Sequence, residues 1–143
     1  MIDISPCNKS DYTTLIKIEK SIFQDHASKN QIINLDKQTS HMLWKIEEKE
    51  IIGFISFFHV KDEIEIIKIC IIKSHQRKNY GSILLDKIKK LKIKKIFLEV
   101  SVENIQAINF YLKHGFKKIG VRKGYYSGKN SSRSDALRLL FKF

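Results

Sequence analysis

Cysteine and proline are scarce in this chain: two Cys and one Pro in 143 residues, with six Gly and a single Trp. Cys7 and Cys70 are too few and too far apart for a disulfide framework or a zinc spacing, and Cys70 sits inside an apolar run. It reads as a buried thiol in a reducing cytoplasm, and the chain as a cytoplasmic protein. So little Pro and Gly excludes a loop-built scaffold and a long linker. No apolar stretch approaches the ~20 residues that span a bilayer, so no membrane partner is expected. Met1 to Asp11 lacks the charged-then-apolar pattern of a signal peptide. His26, His41, His59, His75 and His114 show no ligand spacing, and no metal is expected. Acidic residues are also in the minority, 15 against 27 basic ones, for a net charge of +12. Lys supplies 23 of those 27. A lysine-coated solvated surface and a surface that attracts a polyanion both account for that balance.

What is present suits one globular domain over residues 1–143, since 43% of the residues are hydrophobic and no repeat or composition break divides them. A short strand over Ile2–Ser5 precedes a helix from about Ser10 to Phe23. There Leu15, Ile18, Ile22 and Phe23 recur at helical spacing, and Ser10 or Asp11 can cap the start. A short helix is read at Ile32–Lys37 within the polar stretch 24–40. Met42–Glu47, Ile51–Val60 and Glu63–Ile72 are rich in Ile and Phe and predict three strands, joined by tight turns at Glu48–Glu50 and Lys61–Asp62. Ser82–Lys90 is helical with Leu84, Leu85, Ile88 and Leu91 inward; Lys95–Ser101 is a strand. Ile105–His114 is a helix between Asn104 as its cap and Gly115 just past its end. Strands near Lys117–Arg122 and Asp135–Phe141 close the chain. The expected fold is α/β, a mixed sheet with antiparallel early strands and helices packed on it.

Three stretches carry chemistry. In the first, an apolar strand through Ile69, Cys70 and Ile71 runs into the loop Gln76-Arg77-Lys78-Asn79-Tyr80-Gly81-Ser82, which opens directly into a helix. First-turn N–H groups without helical partners form an anion cradle to which Arg77 and Lys78 add charge, and a diphosphate is its natural occupant. An ordinary strand-loop-helix connection accounts for the same spacing. In the second, Glu99 interrupts the apolar strand Phe97–Ser101. It is either a half-buried proton acceptor or a residue of the strand's solvent face. In the third, Tyr111 shares a helical face with Ile108 and Leu112, which makes it either a core tyrosine or a proton donor to a leaving thiolate.

As a set these residues resemble the GNAT superfamily of acetyltransferases. The superfamily's cofactor loop reads Gln/Arg-x-x-Gly-x-Gly/Ala; here Gln76-Arg-Lys-Asn79-Tyr-Gly81 matches it with Asn79 at the first Gly, a residue that tolerates positive φ. Its second signature, Asn-x-x-Ala-Ile-x-x-Tyr-x-x-x-Gly-Phe, is matched without a gap from Asn104 to Phe116. From Asp62 onward the chain is most similar to the bacterial ribosomal-protein alanine N-acetyltransferases, the RimI type. The run Leu98-Glu99-Val100 fits that type, as do Arg122-Lys-Gly-Tyr125-Tyr126 with the Ser/Gly-rich loop after it and Arg133-Ser-Asp135-Ala136. Glu19 and Phe23 fit its first helix, but Gln24-Asp25-His26 stands where Pro-Trp is usual.

The resemblance implies a GNAT fold with a mostly antiparallel sheet of about six or seven strands and helices on both faces. It also implies a V-shaped splay between two central parallel strands, where acetyl-coenzyme A would lie. Backbone groups of Ile69, Cys70 and Ile71 would pair with its pantetheine arm. Its pyrophosphate would rest on Gln76, Arg77, Lys78, Asn79, Tyr80, Gly81 and Ser82, and Asn104 would touch it as well. Glu99 would act as base and Tyr111 as acid. The acceptor implied is the N-terminal α-amine of a protein or peptide, ribosomal proteins included, and the enzyme a monomer or weak dimer. The alternatives are a GNAT enzyme for a small amine (polyamine, amino sugar or amino acid) and a non-catalytic RNA-binding module. Against the latter, no helix-turn-helix, RNP-type aromatic pair or zinc-finger spacing is present, so no specific nucleic-acid reading is expected.

Overall fold

The computed structural model describes residues 1–23, 29–127 and 133–143. Gln24-Asp25-His26, where the first-helix signature departs from its relatives, and residues 128–132 of the Ser/Gly-rich loop lie outside the described residues. Seven strands form one sheet: β1 (Asp3–Pro6), β2 (His41–Glu48), β3 (Glu50–Val60), β4 (Glu63–Ile71), β5 (Lys95–Ser101), β6 (Lys117–Ser127) and β7 (Arg133–Lys142). Their order is β1-β2-β3-β4-β5-β7-β6. Every neighbouring pair is antiparallel except β4–β5, which is parallel. Four helices are described: α1 (Tyr12–Ile22), α2 (Lys29–Asp36), α3 (Tyr80–Lys89) and α4 (Ile105–Lys113).

The helices divide between the two faces of the sheet, and the residues that bury there show why. On one face, Leu84, Leu85 and Ile88 of α3 and Ile108 and Tyr111 of α4 pack on Ile64, Ile66, Ile96, Leu98 and Leu139. On the other, Leu15 and Ile18 of α1 and Ile32 of α2 pack on Leu43, Phe54 and Cys70. Fully burying each of these aliphatic side chains is worth about 1.5–3 kcal/mol, so both layers are held chiefly by apolar burial. A polar network also ties α2 to the sheet: buried His41 meets Asp36 through Nδ1 at 3.0 Å and the Ser56 hydroxyl through Nε2 at 2.7 Å. The Tyr12 hydroxyl donates to the same Asp36 carboxylate, which pushes the Tyr12 phenol up to about 12.

Several boundaries differ from the sequence expectation. Neither Ser10 nor Asp11 caps α1 with its side chain: a 3-10 turn at Lys9–Asp11 precedes the helix, and the Asp11 carboxylate turns back to accept the Asn8 N–H at 2.7 Å. Helix α3 begins at Tyr80, two residues before the expected Ser82. Leu112 is exposed rather than sharing the buried face of Ile108 and Tyr111. The last two strands run deeper into the closing hairpin than Lys117–Arg122 and Asp135–Phe141 suggest. A register shift in β6 between Arg122 and Tyr126, with Gly124 at φ 64, lets that strand continue. The Asp135 carboxylate fastens it by accepting the Gly124 N–H at 2.9 Å.

Candidate active site

The site begins with one extra residue. Between β3 and β4 the pairing jumps from Ser56↔Lys68 to Phe57↔Ile66, which leaves Ile67 as a bulge. A single inserted residue inverts the in-out alternation of everything after it. Ile64 and Ile66 accordingly belong to the α3/α4 core, whereas Cys70 belongs to the α1/α2 core. The same bulge bends β4 away from β5. Parallel pairing covers only Glu63↔Lys95 through Ile66↔Leu98, and the two strands diverge beyond it. This is the V, and its wall on the β4 side is the backbone of Ile69, Cys70 and Ile71, residues that line the cleft.

The cleft has a volume of about 410 Å³ and runs from the start of α3 to the end of α1, with α4 along its side. Gln76, Arg77, Asn79, Tyr80, Gly81 and Ser82 form its upper end. Asn79 adopts φ 69 and ψ 10, so the left-handed turn that glycine makes elsewhere is made here by asparagine. Arg77 is also left-handed, at φ 64. Helix α3 starts immediately, and its first backbone bond runs from the Ile83 N–H to the Asn79 carbonyl at 3.0 Å. The N–H groups of Tyr80, Gly81 and Ser82 therefore have no helical acceptor and form the positive end of the helix dipole. An oxyanion of a pyrophosphate fits such donors.

The loop is held from three sides. The Gln76 side-chain amide donates to the Ile71 carbonyl at 2.9 Å, tying the loop to the end of β4. The Tyr80 hydroxyl donates to Glu48 at 2.6 Å, which holds the Glu48 carboxyl below its usual range and raises the Tyr80 phenol. Ser82 Oγ meets His114 Nε2 at 2.8 Å, while His114 Nδ1 donates to the Phe110 carbonyl at 2.8 Å, so α3 and α4 are clasped beside the cleft.

Asn79 yields the first testable outcome. Asn79→Gly keeps the left-handed turn and is expected to keep stability within about 1 kcal/mol. Asn79→Val puts a β-branched residue there and is expected to cost about 1–2 kcal/mol. Denaturant melts of the two variants make the comparison. A Val variant as stable as the Gly variant would mean that the turn is not left-handed at this position.

Of the other residues singled out in the sequence, Asn104 and Tyr111 line the cleft, while Lys78 and Glu99 do not. The Asn104 side chain also caps α4 by accepting the Ala107 N–H at 3.2 Å. Arg77 and Lys78 are both exposed, and of the two only Arg77 lines the cleft. Tyr111 is 7% exposed, with its ring edge-on to Phe110 and Phe116. Glu99 sits one residue past the last position of β5 that pairs with β4, and Arg122 of β6 donates to it at 3.3 Å. Cys70 lines the cleft with 1% exposure, and burial pushes its thiol well above the ordinary range. A thiol held protonated this way is a packing residue rather than a nucleophile. Sequence reading missed Ile22 and Phe23, which close the far end of the cleft, and Glu65, whose carboxyl is raised by burial and by the charge of Glu99. Among the described residues no three His, Cys, Asp or Glu side chains form a metal-binding group, and no helix is long and apolar enough to cross a membrane.

Residues 9–116 match the model of the acetyltransferase (GNAT) family. The chain is 30% identical over 138 residues to the [ribosomal protein bS18]-alanine N-acetyltransferase of Haemophilus influenzae, covering 94% of each chain. Its fold superposes on the ribosomal-protein-S18-alanine N-acetyltransferase of Escherichia coli with a TM-score of 0.88 at 23% identity, covering 99% of this chain and 94% of that one. It superposes on Arabidopsis thaliana NAA60 in complex with a bisubstrate analogue with a TM-score of 0.85 at 17% identity, covering 99% and 98%.

Proposed function

The chain belongs to the acetyltransferase (GNAT) family, and we propose that its acceptor is the N-terminal α-amine of a protein, an N-terminal alanine of a ribosomal protein being the first candidate. As a member of that family it is an acetyl-coenzyme A-dependent N-acetyltransferase. The observation that carries the mechanism is the end of β4–β5 pairing at Ile66↔Leu98, which frees one edge of Ile69–Ile71 beside a loop rich in unpaired donors.

In this reading the N–H groups of Tyr80, Gly81 and Ser82 hold the pyrophosphate with Arg77 nearby. The backbone of Ile69–Ile71 receives the pantetheine amides as an added strand would. That arrangement delivers the thioester to the bottom of the V, between Glu99, just past the end of β4–β5 pairing, and Tyr111 on α4. An α-ammonium has a pKa of about 7.7–8.0, so Glu99 can take its proton, directly or through water, without being a strong base. The freed nitrogen then attacks the carbonyl carbon. A C–N bond forms, the C–S bond breaks, and the Tyr111 hydroxyl gives its proton to the departing thiolate. The second proton of the nitrogen leaves to solvent as the amide forms, and solvent returns a proton to Tyr111 and takes the one held by Glu99. No bond to the protein is needed, consistent with the sealed thiol of Cys70.

The test is coenzyme A release measured with two acceptors: a peptide carrying the N-terminal residues of ribosomal protein bS18, and spermidine. The expected kcat/KM is at least 100-fold higher for the peptide. An equal or higher value for spermidine would overturn the acceptor assignment while leaving the transferase in place.

A further inference from the structure

The acceptor side of the sheet holds a carboxylate that this chemistry does not use. Glu65 of β4 pairs in register with Phe97 of β5. Its neighbours Ile64 and Ile66, Ile96 and Leu98 across from them, and Val100 farther along β5 are all buried in the α3/α4 core. Strand alternation therefore turns Glu65 and Glu99 to the opposite face, the one on which α1 packs. Glu65 lies one residue before, and Glu99 one residue after, the last β4–β5 pair, Ile66↔Leu98. The two carboxylates flank the point where the V opens.

Of the other charged groups near this face, Lys68, Arg122, His41 and Lys95 have partners other than Glu65. Lys68 of β4 pairs with buried Glu19 of α1 at 3.1 Å and lies over the Phe23 ring at 5.0 Å. Arg122 of β6 contacts Glu99, and Arg138 of β7 stands opposite Glu99 in the β5–β7 register. His41 of β2 is engaged by Asp36 of α2 and by Ser56. Lys95 holds Glu63 at 2.7 Å. Among the described residues none of these cations forms an ion pair with Glu65, although the chain carries a net charge of +12. Burial and the charge of Glu99 both disfavour its ionised form. Two neighbouring carboxylates with one unmatched charge are relieved by a cation, and the acceptor of an N-acetyltransferase arrives as one.

We propose that Glu65 is an acceptor-binding residue whose carboxylate, with Glu99, receives the acceptor in its ammonium form and holds it at the mouth of the V while Glu99 takes the proton. The inference rests on the reading of Glu99 as the base. It also defines the acceptor class: an amine that is protonated before it reacts.

The experiment compares wild type, Glu65→Gln and Glu99→Gln as full chains, with acetyl-coenzyme A and the bS18 N-terminal peptide. Glu65→Gln is expected to raise the acceptor KM about tenfold and to leave the acetyl-coenzyme A KM and the thermal midpoint unchanged. The same peptide ended by an aminooxy group, neutral at the assay pH, should show equal KM in wild type and Glu65→Gln; a packing role would not make that distinction. An unchanged peptide KM in Glu65→Gln, with Glu99→Gln impaired, overturns the proposal and leaves Glu99 as base. A raised peptide KM in Glu65→Gln with full turnover in Glu99→Gln supports ammonium capture and removes the base role from Glu99.

Discussion

Tyr111→Phe is expected to lower the turnover rate by about 10²–10⁴-fold while leaving acetyl-coenzyme A affinity and the melting temperature nearly unchanged. The substitution removes one oxygen. The ring stays where it packs, edge-on to Phe110 and Phe116 with centroids at 5.2 and 5.3 Å, and both contacts are ones that phenylalanine makes as well. Losing one hydrogen-bonding hydroxyl from a 7%-exposed position costs about 0.5–1.5 kcal/mol of stability, far less than the loss of a proton donor costs the reaction. The thiolate of coenzyme A would then leave unprotonated. Turnover and cofactor affinity must be measured separately, by single-turnover transfer and by calorimetry, because Tyr111 also lines the cleft. Unchanged turnover would make Tyr111 a core residue and overturn the proposed role as acid.

How much of this arrangement could be read from the residues differs from element to element. The run from Asn104 to Phe116 was legible because a cap, a helical face and a terminal glycine agree over one short stretch; Asn104 does cap α4, and Gly115 takes φ 91 just past its end. The left-handed turn at Asn79 was legible too, from one backbone preference. The bulge at Ile67 was not. The strand reads Ile66-Ile-Lys-Ile-Cys-Ile71, apolar on both faces, so no alternation survives to reveal an extra residue. Glu65 was missed for a different reason: alternation gives its face, but its nearness to Glu99 depends on the register of the parallel β4–β5 pairing, which is a tertiary fact. The network of His41, Asp36, Ser56 and Tyr12 joins residues up to 44 positions apart that carry no shared motif. In Leu112 the helical period placed a leucine on the buried face when the helix is only partly covered.

Gly53→Ala is expected to cost about 3 kcal/mol and to weaken acetyl-coenzyme A binding at the same time, although position 53 lies on the far side of β4 from the cleft. Gly53 pairs with Ile71, the last residue of β4 and part of the cleft wall. A Cβ built at Gly53 would sit 2.4 Å from the Cys70 carbonyl oxygen and 2.6 Å from Ile71 Cδ1. A side chain such as Ile71 can turn aside, but the Cys70 carbonyl belongs to the backbone, so relief requires moving the end of β4. Overpacking of this kind costs about 1–3 kcal/mol, with rigid neighbours at the upper end, and for a domain of this size should lower the melting temperature by roughly 10 °C. The displaced backbone is the one proposed to pair with the pantetheine arm, so affinity should fall with stability. A second substitution separates the two obstacles. Ile71→Ala in the Gly53→Ala background removes the Cδ1 clash but not the carbonyl clash, and should fail to restore either property. Full recovery in the double variant would place the conflict in a side chain alone. The end of β4 would then be free to shift, and the narrow wall of the V would not be set by the approach of β3.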